Sequence, residues 1–78
     1  MVHIQHIDVI APYQIQIKFD DGNEKSIDFQ PFISKENALT APLTDFEYFK
    51  TVKIYQNGRG IYWDNDYDFC PDFLRYHA

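Results

Sequence analysis

Three carboxylates alternate along Asp64-Asn65-Asp66-Tyr67-Asp68, the spacing with which a calcium loop presents its first ligands. Such a loop also needs glycine at its sixth position, for a sharp turn, and a bidentate glutamate at its twelfth. Counted from Asp64, those positions hold Phe69 and Arg75. An apolar ring and a cation do neither job, so the segment reads as a solvated loop that ends a strand and leads into a helical turn. With Asp72 the run still offers four carboxylates. A small metal-dependent or catalytic domain using Asp64–Asp72 is therefore the alternative reading.

The other reactive side chains are sparse. His3 and His6 are three residues apart, which on a strand sets them on opposite faces, unable to share an ion. His77 lies at the far end, and all three read as exposed terminal histidines. Cys70 is the sole cysteine, so an internal disulfide and a thiolate-rich zinc site are both excluded. A nucleophilic thiolate needs an electropositive site, whereas Asp66, Asp68 and Asp72 surround Cys70. A buried or half-buried structural cysteine is expected. No residue is assigned to catalysis, to a cofactor or to a metal, and the chain is expected not to be an enzyme.

Tyr55, Tyr62, Trp63, Tyr67 and Tyr76 crowd the C-terminal third. A domain this small must bury aromatic rings to be stable, so part of this group is core. Tyrosine, tryptophan and arginine are also the residues that dominate protein–protein contacts. If Ile61 and Trp63 face inward, alternation turns Tyr62 outward. The candidate partner surface is Tyr55, Arg59, Tyr62, Asp64, Asp66 and Tyr67, on residues 55–68.

The elements that must position these groups are legible from periodicity. Ile4 to Ala11 reads as a strand with Ile7, Val9 and Ala11 on one face, ended by Pro12, which has no N–H to give. Tyr13, Ile15, Ile17 and Phe19 alternate with Gln14, Gln16, Lys18 and Asp20, the pattern of a strand with one buried and one wet face. Asp21-Gly22 is a dipeptide favoured in tight hairpin turns. The return strand is Glu24 to Phe29, with Ile27 and Phe29 inward. Residues 32–43 read as irregular, with Phe32, Ile33 and Leu39 tucked under and Ser34 to Asn37 exposed. Thr44-Asp45-Phe46-Glu47 reads as a capping box in which the Thr44 hydroxyl caps a short helix over 45–50, with Phe46, Phe49 and Leu43 toward the sheet. Thr51 to Tyr55 and Gly60 to Asp64 form a second hairpin across Asn57-Gly58-Arg59-Gly60. Pro71 then opens a C-terminal helical turn. The expected fold is one α+β domain over residues 1–78: a small antiparallel sheet of two hairpins (β-β-β-α-β-β), one short helix and a C-terminal helical turn.

A chain of 78 residues buries only about 60% of its unfolded surface. Seven Phe, six Tyr and one Trp supply a dense core, since each ring buries roughly 150–250 Å². The net charge of −5 and the scattered basic residues argue against a nucleic-acid backbone, which demands clustered cations. No apolar run approaches the length of a membrane span, and the first ten residues lack the basic and apolar regions of an export signal. The expected setting is the cytoplasm, and a mildly acidic surface suits a basic protein partner.

Several short pieces stand in order along the chain: Phe19-Asp20-Asp21-Gly22 closing the first hairpin, Ile27-Asp28-Phe29 before Pro31-Phe32, and Leu43-Thr44-Asp45 with Phe49 and Val52 behind it. Gly60-Ile61-Tyr62-Trp63-Asp64 and Asp68-Phe69-Cys70-Pro71-Asp72-Phe73-Leu74 follow. Together they cover most of the chain, and the ordered set resembles the bacterial DUF2442 family, a domain of unknown function. The resemblance implies a small α+β fold and no established activity, and it supplies no catalytic residue to carry over. It also implies a companion. Members often stand beside a second small family of unknown function, and the pair is similar to a toxin–antitoxin module. Some longer relatives add a helix-turn-helix domain; this chain ends at Ala78 without one, so direct DNA binding is not expected. The functional expectation is a non-catalytic protein-interaction module, the antitoxin-like member of a two-gene bacterial module. Its partner is expected to be a small neighbouring gene product, with no membrane or nucleic acid involved and a homo-oligomer left open.

Overall fold

Apolar–polar alternation in the first third of the chain folds as its period dictates. In the computed structural model, which describes residues 2–78, strands β1 (Ile4–Ala11), β2 (Gln14–Phe19) and β3 (Glu24–Asp28) form an antiparallel sheet in that order. Ile7 faces Ile17, Val9 faces Ile15, and Ile15 faces Ile27 across the sheet, so the β-branched residues share the inner face. Gln14, Lys18 and Glu24 are exposed on the other face, where Gln16 is half-buried.

Two different turns close this meander. Ala11 pairs with Gln14, so the first turn is Pro12-Tyr13. Proline fixes the negative φ of its own position, and Tyr13 takes the positive one at 66°, a conformation costly for a bulky residue. Tyr13 is held there by three contacts. Its carbonyl accepts from Phe29 N–H at 2.7 Å, its hydroxyl donates to Thr44 O at 2.9 Å, and its ring meets Phe49 edge-on at 5.8 Å. The second turn departs from the expected two-residue form. Asp21 keeps a negative φ while Gly22 sits at +89°. Phe19 N–H bonds Asn23 O at 2.8 Å, and Gly22 N–H bonds Phe19 O at 3.1 Å. This is a three-residue loop with glycine at the left-handed position of a bulge.

After a 3-10 turn over Gln30–Phe32, Thr40 pins the irregular segment. Its hydroxyl accepts from Ser34 N–H and donates to Ser34 O, both at 3.0 Å. Ser34 to Asn37 are exposed as expected, but so is Leu39, at 45%. Leu39 sits on the loop that Thr40 closes, and its carbonyl accepts from the Asn65 amide at 2.8 Å. A second 3-10 turn, Ala41–Thr44, precedes α1 (Phe46–Phe49). Asp45, rather than Thr44, caps α1: its carboxylate accepts from Glu47 N–H at 3.1 Å. The Thr44 hydroxyl instead donates back to Ala41 O at 2.7 Å, inside the preceding turn. Phe49 is fully buried, while Phe46 is 38% exposed beneath the Lys50 ammonium. One face of a single helical turn reaches the core, and Phe46 is not on it.

The remainder forms a second three-stranded antiparallel sheet: β4 (Lys53–Ile54), β5 (Ile61–Tyr62) and β6 (Asp68–Phe69), in that order. The expected pair of hairpins within one sheet thus becomes two sheets, with a sixth strand. A 3-10 turn, Gln56–Gly58, shortens the expected strands on both sides. β6 arises from the next turn. Trp63 N–H bonds Tyr67 O and Asp66 N–H bonds Trp63 O, both at 3.0 Å. α2 (Pro71–Tyr76) ends the chain. The core joins Ile4, Ile15, Ile17, Phe19, Ile27 and Phe29 of the first sheet to Leu43, Phe49, Ile61, Trp63 and Leu74. Phe29 is its hub, with ring centroids of Phe69, Phe49 and Trp63 at 5.1, 6.2 and 6.2 Å.

Candidate interaction surface

Ile61 and Trp63 are fully buried, so the alternating Tyr62 is turned outward. Pairing across the second sheet sets Lys53 and Asp68 on either side of it, giving a row Lys53–Tyr62–Asp68 over three strands. Tyr55, one residue beyond β4, stacks on Tyr62 with centroids 4.4 Å apart and planes 25° apart. Both rings are half-buried by each other and by the sheet. The Tyr55 hydroxyl donates to Asp68 Oδ2 at 2.8 Å. That bond, then partial burial and the Asp68 charge, hold the phenol above its usual range. Lys53 Nζ donates to Asp64 Oδ1 at 2.8 Å, and this bond and the Asp64 charge raise the ammonium likewise. The face is therefore two stacked tyrosines framed by carboxylates that accept from Tyr55 and Lys53.

Of the six expected surface residues, the structure brings together Tyr55, Tyr62 and Asp64. Arg59 is exposed on the turn beside Gly60. Asp66 is exposed at the tip of the last hairpin with φ at +71°. Tyr67 does not belong to this face. Its ring packs on Trp63 and Phe69 at 6.1 and 5.2 Å, its hydroxyl donates to Phe32 O at 3.1 Å, and burial raises its phenol. The Asp66 turn reverses the chain between Trp63 and Tyr67, so Tyr67 comes back onto the indole. Sequence reasoning missed Lys53 and did not single out Asp68, although Asp68 closes the expected 55–68 segment. Lys53 was readable, because Ile54 beside it points inward and alternation sends Lys53 out; Asp68 required knowing that β6 exists.

The alternative chemistry has no converging ligands. Asp64 is engaged by Lys53 and Asp68 by Tyr55, and among the described residues no three His, Cys, Asp or Glu side chains gather around a common point. His3 pairs with Asp20 at 3.3 Å and His6 with Asp8 at 3.2 Å, on separate carboxylates. Cys70 is exposed, contrary to expectation. It occupies the position just before Pro71 of α2, where the extended backbone carries its side chain outward while Pro71 and Leu74 take the inner face. A cleft of about 170 Å³ lined by Tyr13, Gln30, Ile33, Ser34, Lys35 and Thr44 contains none of the expected surface residues. Among the described residues no helix is long and apolar enough to cross a membrane.

The model of the family described as "Protein of unknown function (DUF2442)" matches residues 4–78, nearly the whole chain. The chain belongs to that family. Comparison with curated proteins and with solved structures gives no match. Within this DUF2442 chain the family match spans both sheets and both helices, including every residue of the Tyr55–Tyr62 face.

Proposed function

We propose that this DUF2442 domain is a non-catalytic protein-interaction module, the antitoxin-like half of a two-gene bacterial pair acting in the cytoplasm. Its partner is a small basic protein, the product of the neighbouring gene. The observation that carries this reading is the Tyr55–Tyr62 stack at 4.4 Å on the outer side of the second sheet. Two rigid rings present apolar area at little entropic cost, as anchor residues at protein contacts do. Asp68 and Asp64 beside them give the face the sign that recruits a cationic partner. Lys53 and the Tyr55–Asp68 bond lock the frame before binding, which lowers the ordering cost on association. The test is co-expression with the neighbouring open reading frame and co-purification, repeated with Tyr62→Ala. The expected result is a complex that Tyr62→Ala loosens without unfolding the domain. A stoichiometric complex indifferent to Tyr62→Ala and to charge reversal at Asp64 removes this face as its seat.

A further inference from the structure

β3 is an edge strand, and its backbone bonding pattern is determined at both ends. Phe29 N–H bonds Tyr13 O at 2.7 Å and Phe19 N–H bonds Asn23 O at 2.8 Å. Hydrogen-bonded and non-bonded pairs alternate along an antiparallel ladder. The bonded pairs between these ends are therefore Ile15 with Ile27 and Ile17 with Lys25, and the pairs Gln14–Asp28, Gln16–Ser26 and Lys18–Glu24 are non-bonded. It follows that the N–H and C=O groups of Glu24, Ser26 and Asp28 point away from β2, along the free edge. The side chains of the same three residues are exposed. No register shift interrupts β3, whereas β1, at the opposite edge, is shifted near both of its ends. The start of β1 is also covered: a Cβ on Gly58 would lie 2.4 Å from Ile4 O. β3 is thus the edge that presents a regular row of donors and acceptors to an added strand.

Charge selects the occupant. Glu24 and Asp28 lie two residues either side of Ser26 on one face, so an antiparallel strand centred opposite Ser26 meets a carboxylate at each end. A second copy in that register sets each Glu24 against the other copy's Asp28, two like-charge cross-strand pairs. We infer that the β3 edge takes an extended segment of a basic protein, with Lys or Arg at two positions four residues apart, opposite Glu24 and Asp28, and a small hydroxylated residue opposite Ser26. On the inner side, the residue facing Ile27 is apolar. This surface is separate from the Tyr55–Tyr62 face, and either one stands if the other fails.

The probe is the capped peptide Thr-Lys-Val-Thr-Val-Lys-Thr, titrated into the isotope-labelled full chain while amide chemical shifts are followed. Saturable shifts at Glu24, Ser26 and Asp28 are expected, with binding at least about tenfold weaker for the peptide carrying Glu in place of both lysines. Ser26→Pro removes an outward N–H that the fold does not use and is expected to abolish binding. The double variant Glu24→Lys with Asp28→Lys is expected to reverse the preference between the two peptides. That reversal remains readable if Ser26→Pro fails to fold. Absence of shifts at millimolar peptide, equal binding of both peptides, or shifts confined to Tyr55 and Tyr62 would each overturn the inference. A dimer of the free protein that Ser26→Pro dissociates assigns the edge to a second copy instead.

Discussion

The indole N–H of Trp63 donates to the main-chain carbonyl of Phe49 at 2.9 Å, inside the core. Phe49 ends α1, and a helix's last carbonyls have no partner within it. One side chain of the second sheet thus closes the helix and fills the centre at once. Trp63→Phe leaves that carbonyl only the long bond from Val52 N–H, at 3.4 Å, and opens a void, with an expected cost of about 2–4 kcal/mol. A urea titration checks this as a lower midpoint at unchanged slope; an unchanged midpoint contradicts it.

The loops Phe19–Asn23 and Trp63–Tyr67 share one hydrogen-bond pattern, with Gly22 and Asp66 at the same left-handed position, φ +89° and +71°. Nothing lies within 4 Å of a Cβ built on Gly22, so a substitution there meets only backbone strain. Gly22→Val is expected to cost about 1–2 kcal/mol. The mirror experiment is Asp66→Gly, which relieves the strain and is expected to gain about 0.5 kcal/mol. Opposite signs in the two melts are the outcome to look for.

Tyr62 and Tyr67, five residues apart, are expected to respond differently. Tyr62→Ala removes a stacked outer ring, weakening the proposed complex by about 2 kcal/mol or more while costing the free domain about 1 kcal/mol. Tyr67→Ala empties a place against Trp63 and is expected to lower the melting temperature sharply, with unchanged affinity in the fraction that stays folded. Stability and affinity measured on the same two variants decide this; equal behaviour would show that the two rings share one role.

Acid and alkali are expected to destabilise through different groups. Asp21 is held below its ordinary value by the Asn23 N–H, with Arg75 also contributing, and Glu36 by the Ser34 hydroxyl. Their depressed values mean that their contribution is present above the unfolded-state pKa and is lost as pH falls through the folded one, below about pH 4. Lys53 and Tyr55 are raised by Asp64 and Asp68. Their contribution is complete below the unfolded value and is lost as pH rises through the folded one, above about pH 10. Urea midpoints against pH should lose part of the acid limb in Asp21→Asn and part of the alkaline limb in Tyr55→Phe.

A divalent ion entering the Asp64–Asp68 segment has to displace Lys53 from Asp64 and Tyr55 from Asp68. Millimolar calcium or magnesium is therefore expected to move the melting temperature by less than about 1 °C relative to chelator. A ligand at a hundredfold excess over its Kd adds about 2.7 kcal/mol, so a rise of several degrees would reveal a real site.

The first sheet was legible because its alternation is strict and its turns contain proline and glycine; Ile15, Ile17, Phe19, Ile27 and Phe29 are all buried as that alternation requires. Trp63 and Tyr62 were assigned to the correct faces for the same reason. β6 was hidden because two residues carry no period. Tyr67 was misplaced because alternation does not count through a turn, and the Asp66 turn has no glycine to announce it. Thr44 and Asp45 both carry capping oxygens, and only the 3-10 turn before α1, which claims the Thr44 hydroxyl, decides between them.

Each strand of the second sheet is joined to the next by pairs at only two positions, Lys53–Tyr62 with Ile54–Ile61, then Ile61–Phe69 with Tyr62–Asp68. So short a ladder unzips with little loss of main-chain bonding, while the longer meander of β1 to β3 stays closed. Hydrogen exchange should accordingly proceed in two tiers, the amides of residues 53–69 through a sub-global opening and those of the first sheet only through complete unfolding. A partner resting on Tyr55 and Tyr62 would clamp the weaker tier. Its signature would be slowed exchange at Phe69, an amide on the last strand and two pairs away from Ile54, delivered by suppressing a fluctuation.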